Sequence, residues 1–298
     1  MDRIDTIRSK IDKTVKFVFR LDDGSIAEVS HIDKEDGKDI LCVPSQTCCN
    51  LGCRFCHTSN ASGVKVRGLT YNEIYKMVDA VCFGYSLPQP GNILLVSYMG
   101  CGEPMMNELE VYTSMMAITD KKTYNCRFAI ATLLPKDKWR DFFDFTWAVK
   151  RYKLKCKVHL SLHFTEDEIR NEWMPAALDI APSLDALCFY RNITGNSIEV
   201  HYALIENVND DTEDAHYLAL MVKSNTRNIP VKLIKYNTKD DQYKPSSDKR
   251  LDDFVSVLQM HNVQHEYYEP PGHDVGASCG EFLMDYYLKY APKNGEQS

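Results

Sequence analysis

An alternation of extended and helical patterns is the feature that most limits what this chain can fold into. From about residue 70 onward, runs of alternating apolar residues are separated by runs whose apolar residues follow a helical period. A strand–helix–strand order favours an α/β fold with a parallel sheet covered by helices, and function in the loops after the strands' carboxyl ends. The expected strands cover residues 15–20, 25–32, 40–44, 92–99, 127–132, 157–163, 197–204, 231–236 and 263–268. The expected helices cover residues 70–85, 109–119, 136–150, 183–194, 212–224 and 247–261.

The sequence patterns at the two ends of the chain indicate a different organisation from that of the middle. The stretch "RLDDGSIAEV" places Asp-Gly between two alternating apolar runs, a pattern typical of a β-hairpin. We therefore expect an N-terminal helix and β-hairpin extension over residues 1–40 and the main domain over residues 41–285. Residues 286–298, which include "APKNGEQS", are expected to form a flexible tail.

Composition is that of a globular protein without a membrane-spanning segment. With 298 residues, of which 44% are hydrophobic and 26% charged, the chain is large enough for one sizeable core. The start lacks the apolar centre of a signal peptide, and no stretch approaches the roughly 20 apolar residues of a membrane helix. These features predict a cytoplasmic protein. A formal charge of -7 argues mildly against a nucleic-acid partner, although it is compatible with a local basic patch.

The clustered cysteines supply the first chemical indication. A reducing compartment disfavours a disulfide framework, so clustered thiols among the eleven cysteines indicate metal ligands or catalytic groups. In "CCNLGCRFCH", Cys49, Cys53 and Cys56 come from one loop. Such thiolates are able to hold three irons of a four-iron, four-sulfur cluster and leave the fourth iron open. The alternatives are a zinc site, with His57 or a distant pair as further ligands, and buried apolar thiols.

The cysteine spacing, with Phe55 before the last thiol, resembles the radical S-adenosylmethionine (SAM) motif. Neighbouring stretches resemble the RlmN/Cfr group of radical SAM RNA adenine methyltransferases. "LCVPSQTCC" resembles that group's LCVSSQVGC, "YMGCGEPMMN" its MGMGEPLLN, "SLHF" its SLHA, "LIKYN" its LIPFN and "HDVGASCGEF" its DIDAACGQL, in the same order over about residues 12–285. The resemblance implies a radical SAM partial (β/α)6 TIM-like barrel with a small N-terminal β-hairpin extension. It also implies a 4Fe-4S cluster on Cys49, Cys53 and Cys56, with S-adenosyl-L-methionine as the second cofactor.

The same resemblance places candidate SAM-binding residues at the ends of strands. Gly102 and Glu103 follow the apolar run "NILLVSYM", where glycine permits close approach and a carboxylate accepts hydrogen bonds from the amino group of SAM. Thr132 stands where the family carries a serine-rich turn, although this chain has "ATLLP" in place of STSGVVP. The full expected set is Gly102, Glu103, Thr132, Ser161, Leu162, His163 and Asn237.

Two further cysteines carry the chemistry that the resemblance implies. One SAM methylates Cys279, and a radical from a second SAM removes hydrogen from the new S-methyl group. The resulting radical adds to adenine at carbon 2 or carbon 8, which leaves a thioether between protein and base. Cys42 then releases the product, and the Cys42–Cys279 disulfide is reduced by thiol exchange. Glu28 lies close to the position of the family's proposed proton acceptor.

The sequence defines the substrate less sharply than the reaction. Only about a dozen residues precede the first expected strand, where members that modify ribosomal RNA have a helical domain, and "YYEPPGHDV" replaces a basic run. Ribosomal or transfer RNA is the first interpretation, and a basic patch of Lys65, Arg67, Lys232 and Lys235 would support it. The alternatives are the same chemistry on a small nucleotide or peptide, and a non-catalytic iron-sulfur or zinc protein. A flavodoxin- or ferredoxin-type electron donor and a monomeric enzyme are also expected.

Overall fold

One ten-stranded sheet, whose strand order follows the order of the chain, forms the centre of the molecule. The computed structural model describes residues 1–34, 36–60, 65–121, 125–224, 227–237, 242–278 and 280–282. The strands are β1 Asp2–Arg8, β2 Val15–Arg20, β3 Ile26–Lys34, β4 Lys38–Cys42, β5 Ile93–Tyr98, β6 Cys126–Thr132, β7 Cys156–Ser161, β8 Ile198–Leu204, β9 Val231–Lys235 and β10 His265–Tyr268. Neighbours from β1 to β4 are antiparallel, and neighbours from β4 to β10 are parallel.

Helices connect the parallel strands and cover the outer face of the sheet. They are α1 Tyr71–Tyr85, α2 Glu108–Asp120, α3 Asp141–Arg151, α4 Asp167–Trp173, α5 Ile180–Thr194, α6 Thr212–Lys223 and α7 Asp248–Met260. Because the strand order never reverses, the crossovers fall on one face and the sheet curls into a barrel. Within the described ranges β1 pairs only with β2 and β10 only with β9, so the barrel is open. The expected α/β partial barrel is confirmed.

Local signals in the sequence account for many of the element ends. At the start of α1, the Thr70 side chain accepts a hydrogen bond from the Glu73 backbone, and the Glu73 carboxylate accepts one from the Thr70 N–H, a capping box. The hairpin between β2 and β3 turns at Gly24, whose φ of 81° lies in the left-handed region that glycine adopts without strain. All the expected strands are present, and so are the six helices expected from residue 70 onward, with ends shifted by a few residues.

The N-terminal segment corrects one expectation, because residues 2–8 form strand β1 where a helix was predicted. Ile4 and Ile7 have the spacing of one face of a helix, yet both pack on the same apolar cluster beside the sheet. Residues three apart in a regular strand face opposite sides, but here the register shifts between Arg3 and Asp5. Ile4 is the extra residue of this bulge, which allows Ile4 and Ile7 to contact the same cluster. The division into domains remains a prediction, and the tail expected at 286–298 lies outside the described residues.

Packing divides the sheet into a filled outer face and a hollow inner face. The main apolar core lies between the strands and the helices. On the inner face, small side chains near the carboxyl ends of β5 to β8 leave open space; they are Ser97, Ala129, Ala131, Ser161 and Ala203. Because small inward residues cannot fill a barrel, this end is where a ligand fits. Across the described ranges, no helix combines the length and apolar character needed to cross a bilayer.

Candidate active site

A cavity of about 180 Å³, here called the upper cavity, opens at the carboxyl ends of the parallel strands. Most of the predicted cluster and SAM residues line it: Cys49, Cys53, Cys56, Gly102, Glu103, Ser161, His163 and Asn237. They come from loops that are far apart in the sequence and meet because parallel strands end at the same edge. The structure therefore brings these residues around a single enclosed space.

The loop with the three cysteines is fixed by short backbone contacts. The Cys56 N–H donates to the carbonyl of Cys53 at 3.2 Å, and the Arg54 N–H donates to the carbonyl of Trp173 at 2.9 Å. The Phe55 ring packs edge-on against the His163 ring with centroids 5.1 Å apart. An aromatic residue before the last cysteine thus anchors the loop to the end of β7.

The environment of these thiols suits metal coordination. Burial raises the pKa of the Cys49 thiol to about 12 and that of Cys53 well above its ordinary value, and the charge of neighbouring thiols adds to both shifts. Thiolates gathered in such a place need a cationic partner, and iron supplies it. His57, the further ligand that a zinc site would take, does not line the upper cavity. The residues therefore fit an iron-sulfur cluster better than zinc.

Gly102 and Glu103 form the turn after β5. A side chain at Gly102 would place its Cβ 2.7 Å from the Cβ of Gln46, and the Gly102 φ of 101° is left-handed. The segment that leads to the cysteine loop therefore packs too closely for a side chain at position 102. This is a second reason for glycine, besides the close approach of a ligand that the sequence analysis predicted.

Glu103 is buried, and its two oxygens each accept one backbone hydrogen bond at 3.0 Å, from Met105 and Leu133. Burial raises its pKa to about 7, although the hydrogen bonds oppose that shift. The Thr132 side chain also hydrogen-bonds this carboxylate, which, with room for about four donors, retains capacity for one more. A positively charged amino group in the upper cavity would therefore find an acceptor whose charge it stabilises.

His163 and Asn237 present further polar atoms. The His163 backbone is left-handed at φ 60°, and its Nδ1 accepts the Ala203 N–H at 2.9 Å, which puts the ring proton on Nε2. Burial lowers the pKa of His163 to about 3, so the ring is neutral. The amide Nδ2 of Asn237 is buried without a hydrogen-bond partner in the described part of the chain. A buried donor without a partner is costly, and a bound ligand would satisfy it.

Two expected SAM residues do not reach the upper cavity. Thr132 is buried and its hydroxyl accepts the Leu134 N–H at 2.9 Å, while its neighbours Ala131 and Leu133 line the space. Leu162 packs in the main core. Alternation along a strand explains both cases, since only every second side chain faces the barrel. Their assignment as ligands stays a prediction.

Arg170 is a residue that the sequence analysis missed, because the short helix α4 that carries it was not predicted. Its side chain is 1% exposed and donates hydrogen bonds to the carbonyls of Leu162, Leu178, Leu133 and Ser161. These bonds join the ends of β6 and β7. Burial lowers its pKa to about 10, a value at which it still carries its charge. The cation also lies close enough to Cys53 to favour that thiolate.

A second cavity of about 130 Å³, here called the lower cavity, lies deeper in the barrel. It shares Met99, His201, Ile234 and Phe282 with the upper cavity, so the two spaces adjoin. Cys42, the last residue of β4, lines it. The predicted resolving cysteine therefore borders the space next to the predicted SAM site.

The remaining catalytic candidates are Glu28 and Cys279, and Glu28 lines neither cavity. Glu28 is buried on β3, and the Lys16 ammonium lies 3.2 Å from its carboxylate. Ser30 pairs with Cys42, so Glu28, two residues along β3, lies on the same face of the sheet as Cys42. Cys279 lies outside the described residues. On one side of it Ser278 lines the lower cavity, and on the other Gly280 lines the upper cavity.

The N-terminal extension anchors the segment that precedes Cys279. The Gly272 N–H donates to Asp12 at 2.7 Å, and the Lys16 ammonium donates to the carbonyl of Gly276 at 3.2 Å. Asp274 accepts hydrogen bonds from the Ser9 hydroxyl at 2.8 Å and from the Lys10 N–H at 2.7 Å. Residues 9–16 thus hold residues 272–276 against the sheet.

The basic patch that would mark an RNA-binding mouth does not form from the expected residues. Arg67 is paired with Asp23 and Glu73, and Lys235 lies 3.4 Å from Glu269. Lys232 is near the start of β9, at the opposite end of the barrel from the mouth. Acidic side chains instead surround a surface pocket after β7 and β8; they are Glu166, Asp211, Glu213 and Asp214.

Comparison with solved structures defines the class of this fold. A radical SAM methyltransferase from Sphaerobacter thermophilus superposes with a TM-score of 0.82 at 24% identity, over 94% of this chain and 80% of that one. Spore photoproduct lyase complexed with a dinucleoside spore photoproduct superposes with a TM-score of 0.56 at 13% identity, over 80% of this chain and 79% of that one. The architecture is that of the radical SAM enzymes.

Sequence comparison gives the family. The "Probable dual-specificity RNA methyltransferase RlmN" of Clostridium beijerinckii is 32% identical over 99% of this chain and 80% of its own length. The protein of the same name from Thermosipho melanesiensis is 30% identical over 92% of this chain and 77% of its own length. No family model matches the chain. The chain belongs to the RlmN family of radical SAM methyltransferases, and its cofactors are a 4Fe-4S cluster and SAM.

Proposed function

We propose that this protein methylates a ring carbon of adenine in RNA, carbon 2 or carbon 8, through a methyl group carried by Cys279. The observation that carries the proposal is the adjoining pair of cavities: candidate cluster and SAM residues line the upper one, and Cys42 lines the lower one. The RNA substrate is the one that the names of the curated relatives contain. The adenine ring and the two-cysteine route come from the matched motifs around Cys42 and Cys279.

The residues of the upper cavity have binding roles in this proposal. Cys49, Cys53 and Cys56 hold the cluster, and Glu103 and Asn237 orient SAM through their unused hydrogen-bonding capacity. When bound, the cluster and SAM together supply a carbon-centred radical that abstracts hydrogen from a methyl thioether.

Cys42, which lines the lower cavity, and Cys279 have covalent roles. Cys279 carries the methyl group and becomes joined through sulfur and carbon to the substrate ring. Glu28 accepts the ring proton, and its pairing with Lys16 supplies the opposite charge that a buried carboxylate requires. The cluster, when bound, would take up the surplus electron of the adduct radical. The thiolate of Cys42 then attacks the Cys279 sulfur and a Cys42–Cys279 disulfide forms. The carbon–sulfur bond breaks with its electron pair on the methylene carbon, which takes a proton to become the methyl group. A flavodoxin- or ferredoxin-type electron donor and a monomeric enzyme are parts of the same proposal.

The experiment that tests the proposal is trapping with Cys42→Ala. This variant should load the methyl group and attach to its substrate, yet lack the thiol that releases it. A carbon–sulfur adduct survives denaturing gels, and it should disappear after nuclease treatment if the substrate is RNA. Cys101→Ala is the matched control, because Cys101 is a buried thiol in the same apolar cluster as Cys42.

Nucleoside mass spectrometry of RNA from cells with and without the protein identifies the modified base. Normal turnover by Cys42→Ala would remove Cys42 from the mechanism. A stable adduct that resists nuclease would remove RNA as the substrate while keeping the two-cysteine chemistry. Absence of any methylated adenine that depends on the protein would refute the proposed base.

A further inference from the structure

Five polar side chains converge at the base of the lower cavity, and none belongs to a motif used above. They are Lys157 and His159 on β7, Glu199 and His201 on β8, and Lys232 on β9. One oxygen of Glu199 lies 3.1 Å from Nδ1 of His159 and 3.5 Å from Nε2 of His201. The other oxygen accepts the Lys157 ammonium at 2.6 Å. The Glu199 carboxylate is therefore the centre of the group.

The positions of the protons in this group follow from its charges. Burial opposes ionisation of Glu199, but interactions with His159, His201 and Lys157 outweigh it and hold its pKa well below the ordinary value. Burial lowers the pKa of His159 to about 4 and that of His201 to about 3. An ionised carboxylate only accepts hydrogen bonds, so the neutral His159 ring keeps its proton on Nδ1. Nε2 of His201 lies 3.5 Å from the same oxygen without hydrogen-bond geometry, and it keeps its proton because a bare nitrogen there would face a negative charge. The opposite nitrogen, Nε2 of His159 and Nδ1 of His201, is then an acceptor.

Two histidines and a carboxylate are also a common set of metal ligands, and their donor atoms lie within 4.8 Å of one another. The neighbouring charges make a cation unfavourable here. The Lys232 ammonium lies 3.4 Å from Glu199 and 2.6 Å from Glu266. With the Lys157–Glu199 pair, two positive and two negative charges already neutralise each other. A divalent ion would add uncompensated positive charge beside two ammonium groups. Hydrogen bonding is the better account of the group.

The surroundings of the two rings suit a flat, mostly apolar ligand. His159 and His201 both line the lower cavity. Its walls are otherwise largely apolar or aromatic, with Ile40, Leu95, Ile234, Tyr268 and Phe282. Cys42 lines the same space, which places the candidate resolving thiol and the acceptor nitrogens around one ligand. Aromatic and aliphatic walls with a few polar groups are typical of pockets that take a heteroaromatic ring.

We propose that His159 and His201 recognise the exocyclic amino group of the substrate base, with Glu199 as the positioning residue that fixes their protons. Adenine carries such an amino donor, whereas inosine carries an oxo acceptor at the same ring position. A site whose nitrogens accept hydrogen bonds from the amino group of adenine leaves those nitrogens unpaired when purine binds, because purine lacks the amino group. The same nitrogens repel the oxo group of inosine, which is also an acceptor. This inference rests on the proposed adenine substrate and assigns the residues that select it.

The test compares three uridine-rich single-stranded RNAs that carry one adenosine, one purine riboside or one inosine. Binding to the cluster-loaded, SAM-bound protein is measured by fluorescence anisotropy, and methylation by mass spectrometry. The wild-type protein should bind the adenosine RNA about tenfold more tightly than the purine RNA, which lacks only the amino group. His159→Leu should remove this preference, and His159→Gln, which retains an acceptor oxygen, should restore part of it.

His261→Leu is the matched control, because His261 is a partly buried histidine whose ring contacts His216 on the outer helices. It should keep the full preference. Equal binding of adenosine and purine RNA by the wild type would overturn the inference without any variant, as would a preference that survives in His159→Leu. Stoichiometric zinc that Glu199→Gln loses would overturn it in favour of a metal site. A binding preference for the amino group without methylation would keep the inference and refute the proposed function.

Discussion

In the upper cavity the polar groups come from loops after the strands, whereas in the lower cavity they come from the inner faces of the strands themselves. Glu103 and Asn237 follow β5 and β9, and the cysteines follow β4. His159 and His201, by contrast, lie within β7 and β8. Loop residues form compact sequence motifs because neighbours in the chain act together. Residues on inner faces act with partners on other strands, so no local pattern marks them.

The two regions also differ in how their charges are balanced. In the lower cavity the lysines and glutamates of β7 to β10 pair among themselves. In the upper cavity burial raises the pKa values of the Cys49 and Cys53 thiols and of the Glu103 carboxylate, because it disfavours their charged forms. A cation bound in the upper cavity would therefore stabilise charged groups there, whereas in the lower cavity the lysines and glutamates already balance each other's charges.

The largest expected effect separates the regions directly. Cys53→Ala should abolish the iron-sulfur absorbance and all reductive cleavage of SAM, because one iron loses its ligand. The fold should remain, since the lower charge network does not include this loop. On anaerobically purified protein, iron analysis measures the cluster content and far-ultraviolet circular dichroism measures the fold. Cys156→Ala, which alters a buried thiol on β7, is the control and should keep its iron. Retained iron in Cys53→Ala would contradict the ligand assignment.

A smaller effect is expected at the turn that supports the upper cavity. Gly102→Ala should lower the free energy of unfolding by about 3 kcal/mol, because the new Cβ meets Gln46 in a left-handed backbone. Gly195→Ala is the matched comparison, since Gly195 is also left-handed but has open space around it. It should cost only about 1 kcal/mol. Urea denaturation of both variants gives the difference, and equal costs would show that the contact with Gln46 is unimportant.

A third effect, spread over more than two pH units, is the pH dependence that Glu103 introduces. Folding raises its pKa from 4.5 to about 7, so the folded state binds the proton more tightly than the unfolded state. Its contribution to stability is therefore complete below pH 4.5 and is lost as the pH rises through about 7. Glu103→Gln should remove this slope, which is at most about 1.4 kcal/mol per pH unit.

The affinity for SAM should change in the opposite direction. The charged amino group of SAM binds the ionised carboxylate better, so SAM affinity of the wild type should rise as the pH passes about 7. In Glu103→Gln it should stay level. Isothermal titration of cluster-loaded protein on either side of that pH measures the effect. An identical pH profile in the variant would exclude Glu103 as the group responsible.

The same contrast explains what could be predicted from the sequence. Hydrophobic alternation located the strands, and matched motifs identified the cysteines and most of the candidate SAM residues that line the upper cavity, because both are local properties. Strand β1 was mistaken for a helix because a register shift lets Ile4 and Ile7 share a face. Helix α4 and its Arg170 were missed because their contacts are carbonyl groups at the ends of other strands. Lys232 was assigned to the mouth, although its place near the start of β9 puts it at the other end.

The anchoring of residues 272–276 by residues 9–16 has a consequence for the order in which the molecule is assembled. The hydrogen bonds from Gly272 to Asp12 and from Lys16 to Gly276 each join residues 260 positions apart. Contacts of such long range form only after nearly the whole chain has left the ribosome. The cysteine loop, by contrast, is synthesised within the first fifth of the chain. The candidate ligands of the cluster are therefore synthesised long before residues 272–276, which precede the proposed methyl carrier in the sequence, are anchored to the N-terminal extension.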